Sequence, residues 1–180
     1  VTAHCAGERG MDILLDAFAA ARTQSSISLT VVGDGPEHAA LKAQAERLGL
    51  LAQQAHEAGK VFFAGWQPQE RAAQLLADHD GLMMPSLHDC GGAVVLEAMA
   101  LGLPVAATNW GGPPDYIDAQ TGLLLEPTSR QALVDQFAQS MAALASDPVK
   151  RARLGHAGQE KVIREFDWER KVDRMLAMFE

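Results

Sequence analysis

The chain has 180 residues, enough for one domain that buries a full core without disulfides or a structural metal. Apolar residues make up 48% and charged residues 21%, the balance of an ordinary globular protein. The net charge of −8 argues against a nucleic-acid binder, and no apolar run is long enough to predict a membrane span. Two cysteines without a signal-type N-terminus predict a reducing, cytoplasmic compartment.

Apolar periodicity alternates between strand and helix along the chain. Residues 1–3 are typical of the end of a strand, which indicates a piece of a longer protein. Further strands are predicted at 27–32, 61–64, 81–84, 105–107 and 123–125. Helices are predicted at 13–21, 36–48, 70–77, 93–101, 131–145, 148–165 and 168–179.

This alternation predicts an α/β fold with a doubly wound, parallel, six-stranded sheet. Residues 1–127 would form the Rossmann-like core, and the helices of residues 128–180 would pack on it as an extension of the same domain. The common strand order 3-2-1-4-5-6 would make the strands that end at Ala3 and Met84 neighbours. A ligand crevice is then expected above their carboxyl ends.

The most informative segment runs from Pro85 to Ala100, where a strand ends, a polar loop follows and an apolar helix begins. Gly91 and Gly92 at the helix start would let an anion approach the first N–H groups, where the helix dipole favours negative charge. The alternative, a pair that only makes a tight turn, has equal weight on spacing alone.

Glu97 is the only charged residue of that helix between Ala93 and Leu101. A helix that is apolar nearly all round is expected to be buried, and a buried carboxylate needs hydrogen-bond donors. Helical side chains lean toward the N-terminus, so Glu97 should point back toward the loop that carries Asp89. Two carboxylates at one crevice suit a ligand rich in hydroxyl groups. The alternative is a Glu97 satisfied by neighbouring backbone.

Other motifs carry less weight. The segment Gly33–Pro36 fails as a dinucleotide fingerprint because His38 stands where Gly or Ala is needed, which disfavours an oxidoreductase. The triplet Asp78–Asp80 precedes its strand, so it lies at the amino edge and is not expected to bind a functional metal. The histidines at positions 38, 56, 79 and 156 are expected to be solvated.

Residues 85–116 resemble the donor-binding region of retaining glycosyltransferases of the GT-B type, sequence family four. That signature is an acidic residue, seven residues, then a Glu that is the first residue of the helical segment Glu-Ala-Met-Ala, with Gly-x-Pro-Val following. Here it runs from Asp89 to Glu97 and on to Val105. Residues 8–18, 29–36, 61–65 and 166–169 are similar to further family segments, so the resemblance covers nearly the whole chain.

The resemblance implies a C-terminal, donor-binding domain, with the N-terminal acceptor domain absent from this chain. The sugar donor would be UDP- or GDP-linked, and the domain alone is expected to be inactive. Any contact with the inner membrane face would come through the absent domain. The implied substrate-binding residues are Glu97 at the ribose, Gly91, Gly92 and Ala93 at the diphosphate, Trp66 and Gln67 at the base, and Gly33 at the crevice rim.

The resemblance also implies three catalytic residues. Asp89 would contact the donor sugar, one methylene shorter than the usual Glu. Arg9 and His4 stand where the family has a Lys and an Arg that neutralise the leaving diphosphate. Arg9 keeps the charge, whereas His4 carries it only when protonated, a state that a nearby phosphate favours. Because these cations neutralise the diphosphate, no metal or other cofactor is expected.

The implied reaction is hexosyl transfer from a nucleotide sugar to an acceptor hydroxyl with retention of configuration. A binding-only relative remains an alternative because of His4. A nucleotide-sugar epimerase of the same GT-B fold is a second alternative, since it would form product from the donor alone.

Overall fold

A computed structural model describes residues 2–4, 10–88 and 91–179, with only the backbone described at residues 2–4 and 174. The strands are β1 (Thr2–His4), β2 (Leu29–Val32), β3 (Val61–Gly65), β4 (Leu82–Met84), β5 (Val105–Thr108) and β6 (Gly122–Leu125). The helices are α1 (Met11–Ala21), α2 (His38–Arg47), α3 (Gln69–Ala77), α4 (Ala93–Ala100), α5 (Pro113–Tyr116), α6 (Arg130–Ser146), α7 (Pro148–Lys161) and α8 (Trp168–Leu176). A π-helical turn, Val162–Phe166, joins α7 to α8.

The strands form one sheet in the order β3-β2-β1-β4-β5-β6. Every neighbouring pair is parallel, so each connection crosses over the sheet through a helix. The predicted doubly wound arrangement and its strand order are therefore found. The order reverses between β1 and β4, where the connections leave for opposite sides of the sheet.

The core has two parts, one on each face of the sheet. Residues of β4 and β5 alternate between them, because successive strand side chains point to opposite faces. Met83 and Ala106 pack with α1, α2 and α6, whereas Met84 and Ala107 pack with α4. Phe18 and Phe137 are fully buried where α1 meets α6. α6 thus completes one face of the same core.

α7 packs on the outside of α4. The backbone of Gly155 lies so close to the loop after α4 that a Cβ there would be 1.9 Å from the Gly102 carbonyl oxygen. After the π-helical turn, α8 has no buried side chain among those described. No helix within the described residues combines the length and apolar character that crossing a membrane requires.

Several helix boundaries differ from the predictions, and two of these differences have a local cause. The helix predicted from Pro36 begins at His38, after a turn that Pro36 and Glu37 form. The helix predicted over 148–165 changes to π-helix at Val162. The T-shaped contact of Phe166 with Tyr116, at 5.2 Å between ring centroids, accompanies this change. α5, which holds Tyr116, was itself predicted as loop.

Candidate functional site

The candidate site lies along the carboxyl edge of the sheet. Because all strands run parallel, the loops that follow them meet at this edge. They include Gly33 after β2, Gly65–Gln67 after β3, and the segments that precede α4 and α5. The loops that hold Gly33, Gly92 and Gly112 therefore share one edge of the sheet.

Gly92 sets the start of α4. It takes a left-handed conformation with φ of 61°, which favours glycine, and it offers no side chain to cap the helix. Its carbonyl accepts the Val95 N–H at 2.8 Å, and Ala93 at the first helical position is exposed. Apart from its chain neighbours, no described residue has an atom within 4 Å of the position that a Cβ on Gly91 would take. The first turn of this helix is exposed at Ala93.

Gly10 brings a second loop into the same edge. It precedes α1 with φ of 109°, and a Cβ on it would lie 2.0 Å from the carbonyl oxygen of Pro85. Only a glycine allows this approach. The loop before α1 therefore touches the loop before α4, beside the point where the strand order reverses.

Glu97 lies one turn further along α4 and is exposed. The prediction of a buried carboxylate is wrong, because the strip of α4 that holds Ala93, Glu97 and Ala100 is exposed. Val95, Ala98 and Met99 are buried in the core. The alternative of a carboxylate satisfied by backbone is also not found, since no group in residues 10–88 or 91–179 hydrogen-bonds the Glu97 carboxylate.

The loop after β3 is held by two hydrogen bonds. The Gly33 N–H donates to the Gly65 carbonyl at 2.8 Å, which ties the loop after β2 to the loop after β3. The Gln67 side-chain amide donates to the Ala64 carbonyl at 2.6 Å, which leaves its Oε1 as an acceptor. Trp66, which lies between Gly65 and Gln67, is 71% exposed. An exposed indole therefore stands on an ordered loop at the edge.

Several predicted site residues are not described. Arg9 and Asp89 lie outside the described residues, as does the side chain of His4. Their predicted roles stay predictions. The backbone of His4 is described and pairs with Val32 at the end of β1.

The prediction for His79, at the amino edge of the sheet, is wrong. His79 was predicted to be solvated, but only 7% of it is exposed. Its Nδ1 donates to the Leu75 carbonyl at 2.5 Å, and its Nε2 accepts from the Thr30 hydroxyl at 2.8 Å. Burial lowers the pKa of His79 from 6.5 to about 4, so the ring is neutral at pH 7. It is a structural residue on the side of the sheet away from the crevice.

No metal centre is found in the described part of the chain. Within residues 2–4, 10–88 and 91–179 there is no group of three or more His, Cys, Asp or Glu side chains that could hold an ion. Both ring nitrogens of His79 are already hydrogen-bonded, so the triplet Asp78–Asp80 does not present that imidazole to a metal.

The loop between β5 and α5 carries an exposed aromatic residue that was not among the predicted site residues. Trp110 in this loop is 55% exposed. The Asn109 amide donates to the Glu126 carboxylate at 2.5 Å and links the loop to the end of β6. In the sequence, a tryptophan directly before the Gly111–Gly112 pair could have indicated this residue.

Comparison with known proteins gives a family. Residues 3–161 match the model of the family described as "Glycosyl transferases group 1". A lipopolysaccharide core biosynthesis glycosyltransferase, LpsE from Rhizobium meliloti, is 31% identical over 171 residues, which cover 94% of this chain and 46% of that protein. A GDP-mannose-dependent monoacylated alpha-(1-6)-phosphatidylinositol monomannoside mannosyltransferase from Corynebacterium glutamicum is 32% identical over 93% of this chain and 42% of its own length.

The fold of the chain is also similar to that of a solved structure. HepE from Anabaena, crystallised in complex with UDP and glucose, has a TM-score of 0.76 and 26% identity over 98% of this chain and 48% of that chain. The chain thus spans less than half of the length of each of these three proteins.

Proposed function

Since the chain belongs to the glycosyl transferases of group 1, we propose that it binds the nucleotide-sugar donor of a retaining glycosyltransferase. The observation that carries the proposal is the pairing of a glycine-rich helix start with an exposed carboxylate that no described residue hydrogen-bonds. The carboxylate lies one turn along the same helix, at the point where the strand order reverses. A nucleotide diphosphate needs both features, an anion site and an acceptor for ribose hydroxyls.

The donor is proposed to lie along the carboxyl edge. Its diphosphate would meet the first N–H groups of α4 beside Gly91 and Gly92, where the positive end of the helix dipole favours negative charge. The Glu97 carboxylate would accept from the ribose hydroxyls. The base would lie at Trp66 and Gln67, where the indole offers a stacking surface.

Gln67 favours a base that donates a ring N–H. Its Oε1 is an acceptor, so it would receive an N–H from the Watson–Crick edge of uracil or guanine. Adenine and cytosine place an unprotonated ring nitrogen at the equivalent position and donate from this edge only through an exocyclic amino group. UDP- and GDP-linked sugars are therefore the proposed donors. UDP is the nucleotide bound in the HepE structure, and GDP-mannose is the donor that the Corynebacterium relative's name states.

The proposed chemistry is transfer of a hexosyl group to an acceptor hydroxyl. The bond between the anomeric carbon and the diphosphate oxygen breaks, and its electron pair stays on the diphosphate. Arg9 and His4 are proposed to stabilise that charge, which is among the largest contributions to such catalysis. Asp89 would hold hydroxyls of the donor sugar. The acceptor attacks from the face that the diphosphate leaves, which retains the configuration, and the departing phosphate takes the acceptor's proton. Because the cations carry the neutralisation, the proposal includes no metal ion.

The acceptor is proposed to bind a companion domain, because this chain spans less than half of each relative's length. Any contact with a membrane surface would also come from that domain. A binding-only role is the second candidate, because His4 stands where the family has a permanently charged Arg. Donor binding without turnover by the full-length protein would favour that role.

Calorimetry with the 180-residue chain tests the donor site. We expect UDP or GDP to bind, and Glu97→Ala to weaken that binding between about 5-fold and 150-fold, because hydrogen bonds to a charged group are lost. Glu46→Ala is the matched control, since Glu46 is an exposed carboxylate near the C-terminal end of α2, at the opposite edge. A folded Glu97→Ala protein with the original affinity would contradict the assigned role.

A further inference from the structure

The loop between β5 and α5 presents an aromatic face at the edge where the donor is proposed to bind. Trp110 is 55% exposed, although a tryptophan gains more from burial than most side chains. β5 is the neighbour of β4 in the sheet, so this loop lies beside the loop that leads into α4.

The loop is held firmly by hydrogen bonds. The Trp110 N–H donates to the Thr108 carbonyl at 2.8 Å, and the Asn109 N–H donates to the Leu125 carbonyl at 2.8 Å. The Asn109 side chain is bonded to Glu126, and Gly111 turns the chain with φ of 70°. The indole is therefore presented from an ordered backbone rather than from a loose loop.

The loop also touches the proposed diphosphate site. A Cβ on Gly92 would lie 3.4 Å from Cδ of Pro113, which is only three residues after Trp110. Three residues span at most about 10 Å. The backbone of Trp110 therefore lies within about 10 Å of Pro113, the residue that packs against the helix start where the diphosphate would lie.

The chemical group next to a diphosphate in a nucleotide sugar is the hexose. The faces of a pyranose ring carry several polarised C–H groups, and the negative face of an indole attracts them. The carboxylate of Glu126, held beside the loop by Asn109, could accept from hexose hydroxyls. An aromatic platform with a neighbouring carboxylate would strengthen the binding of a sugar ring but not that of a phosphate group.

We propose that Trp110 is a stacking platform for the hexose of the bound donor, and so helps to determine which sugar the protein accepts. This inference rests on the proposed function, because it needs the diphosphate at the start of α4. It adds a residue from a different loop to those that the family resemblance implies.

The test compares a nucleoside diphosphate with its sugar conjugate. Dissociation constants are measured by calorimetry for UDP, UDP-glucose, UDP-N-acetylglucosamine, GDP and GDP-mannose with the 180-residue chain. For a sugar that the chain binds, Trp110→Ala should raise the dissociation constant about 3- to 10-fold, the range that aromatic stacking supplies. The constant for the free diphosphate should change less than about twofold. Trp110→Phe should retain most of the affinity, since a ring face remains.

Trp168→Ala is the matched control. Trp168 is 75% exposed on α8, and its replacement should leave both ligands unaffected. As a second readout, the sugar conjugate should change the tryptophan emission more than the free diphosphate does, and Trp110→Phe should abolish that difference.

Each result decides a different claim. Equal effects of Trp110→Ala on diphosphate and sugar conjugate, or no effect on either, would overturn the stacking role and leave the proposed function standing. A chain that binds none of the five compounds would overturn the proposed function and this inference with it.

Discussion

Acid destabilisation through His79 is a quantitative consequence of the fold. The ring is buried, its Nδ1 donates to Leu75 and its Nε2 accepts from Thr30, so the neutral form has both nitrogens satisfied. Burial is the main cause that lowers its pKa from 6.5 to about 4. The His56 ring, 4.9 Å away, opposes a charge on His79, whereas Asp78 favours it less strongly.

The sign follows from proton binding. Between pH 6.5 and about 4 the unfolded chain binds a proton at His79 and the folded chain does not, so stability falls as the pH falls. The contribution is complete above pH 6.5 and is lost toward pH 4. From pH 7.5 to pH 5.5 the expected loss is about 1.3 kcal/mol from this residue. That value changes little as long as the folded pKa lies well below 5.5.

Urea unfolding at pH 7.5, 6.5 and 5.5 measures this loss. The protein is compared with His79→Gln, which has no titrating ring, and with His156→Gln, which removes an exposed ring on α7. Between pH 7.5 and pH 5.5 the free energy of unfolding should fall by about 1.3 kcal/mol more in the protein than in His79→Gln. His156→Gln should show the same pH dependence as the unchanged protein. An NMR titration of the His79 ring gives the pKa directly. A ring that titrates near 6.5 in the folded protein, or equal slopes for the protein and His79→Gln, would refute the reasoning.

Two further predictions concern the packing of the helices. Gly155→Ala would place a Cβ 1.9 Å from the Gly102 carbonyl oxygen and should lower the free energy of unfolding by about 1–3 kcal/mol, measured by urea unfolding. Gly35→Ala meets no atom within 4 Å and is the control, so equal losses in the two variants would contradict the steric argument. Arg130→Gln removes ion pairs of 2.9 Å to Asp12 and 2.7 Å to Asp16, but the guanidinium is half exposed, so the loss should stay below about 1 kcal/mol. That loss should shrink further in 1 M salt, and a loss that salt does not change would show that packing, rather than charge, is involved.

The sheet was predictable because few topologies satisfy its local signals. Short apolar runs that end at Gly33, Gly65 and Pro85 mark strands, and intervening helices require parallel connections. Right-handed crossovers then leave few possible orders, and the common one is found. The π-helical turn was not predictable, because the sequence from α7 into Val162–Phe166 keeps a helical pattern. The contact between Phe166 and Tyr116 joins segments that are 50 residues apart, which local periodicity does not reveal.

The two errors at single residues have one physical cause, since burial depends on what packs against a side chain. Composition made α4 look buried on all sides, but only the side with Val95, Ala98 and Met99 meets the core, and Glu97 faces out. The polar triplet around His79 looked solvated, but Thr30 and Leu75 supply the two partners that a neutral ring needs. For Glu97 the correction favours the proposed role. A buried carboxylate would already have spent its acceptor sites on the protein, whereas an exposed one gives up only water when ribose hydroxyls arrive.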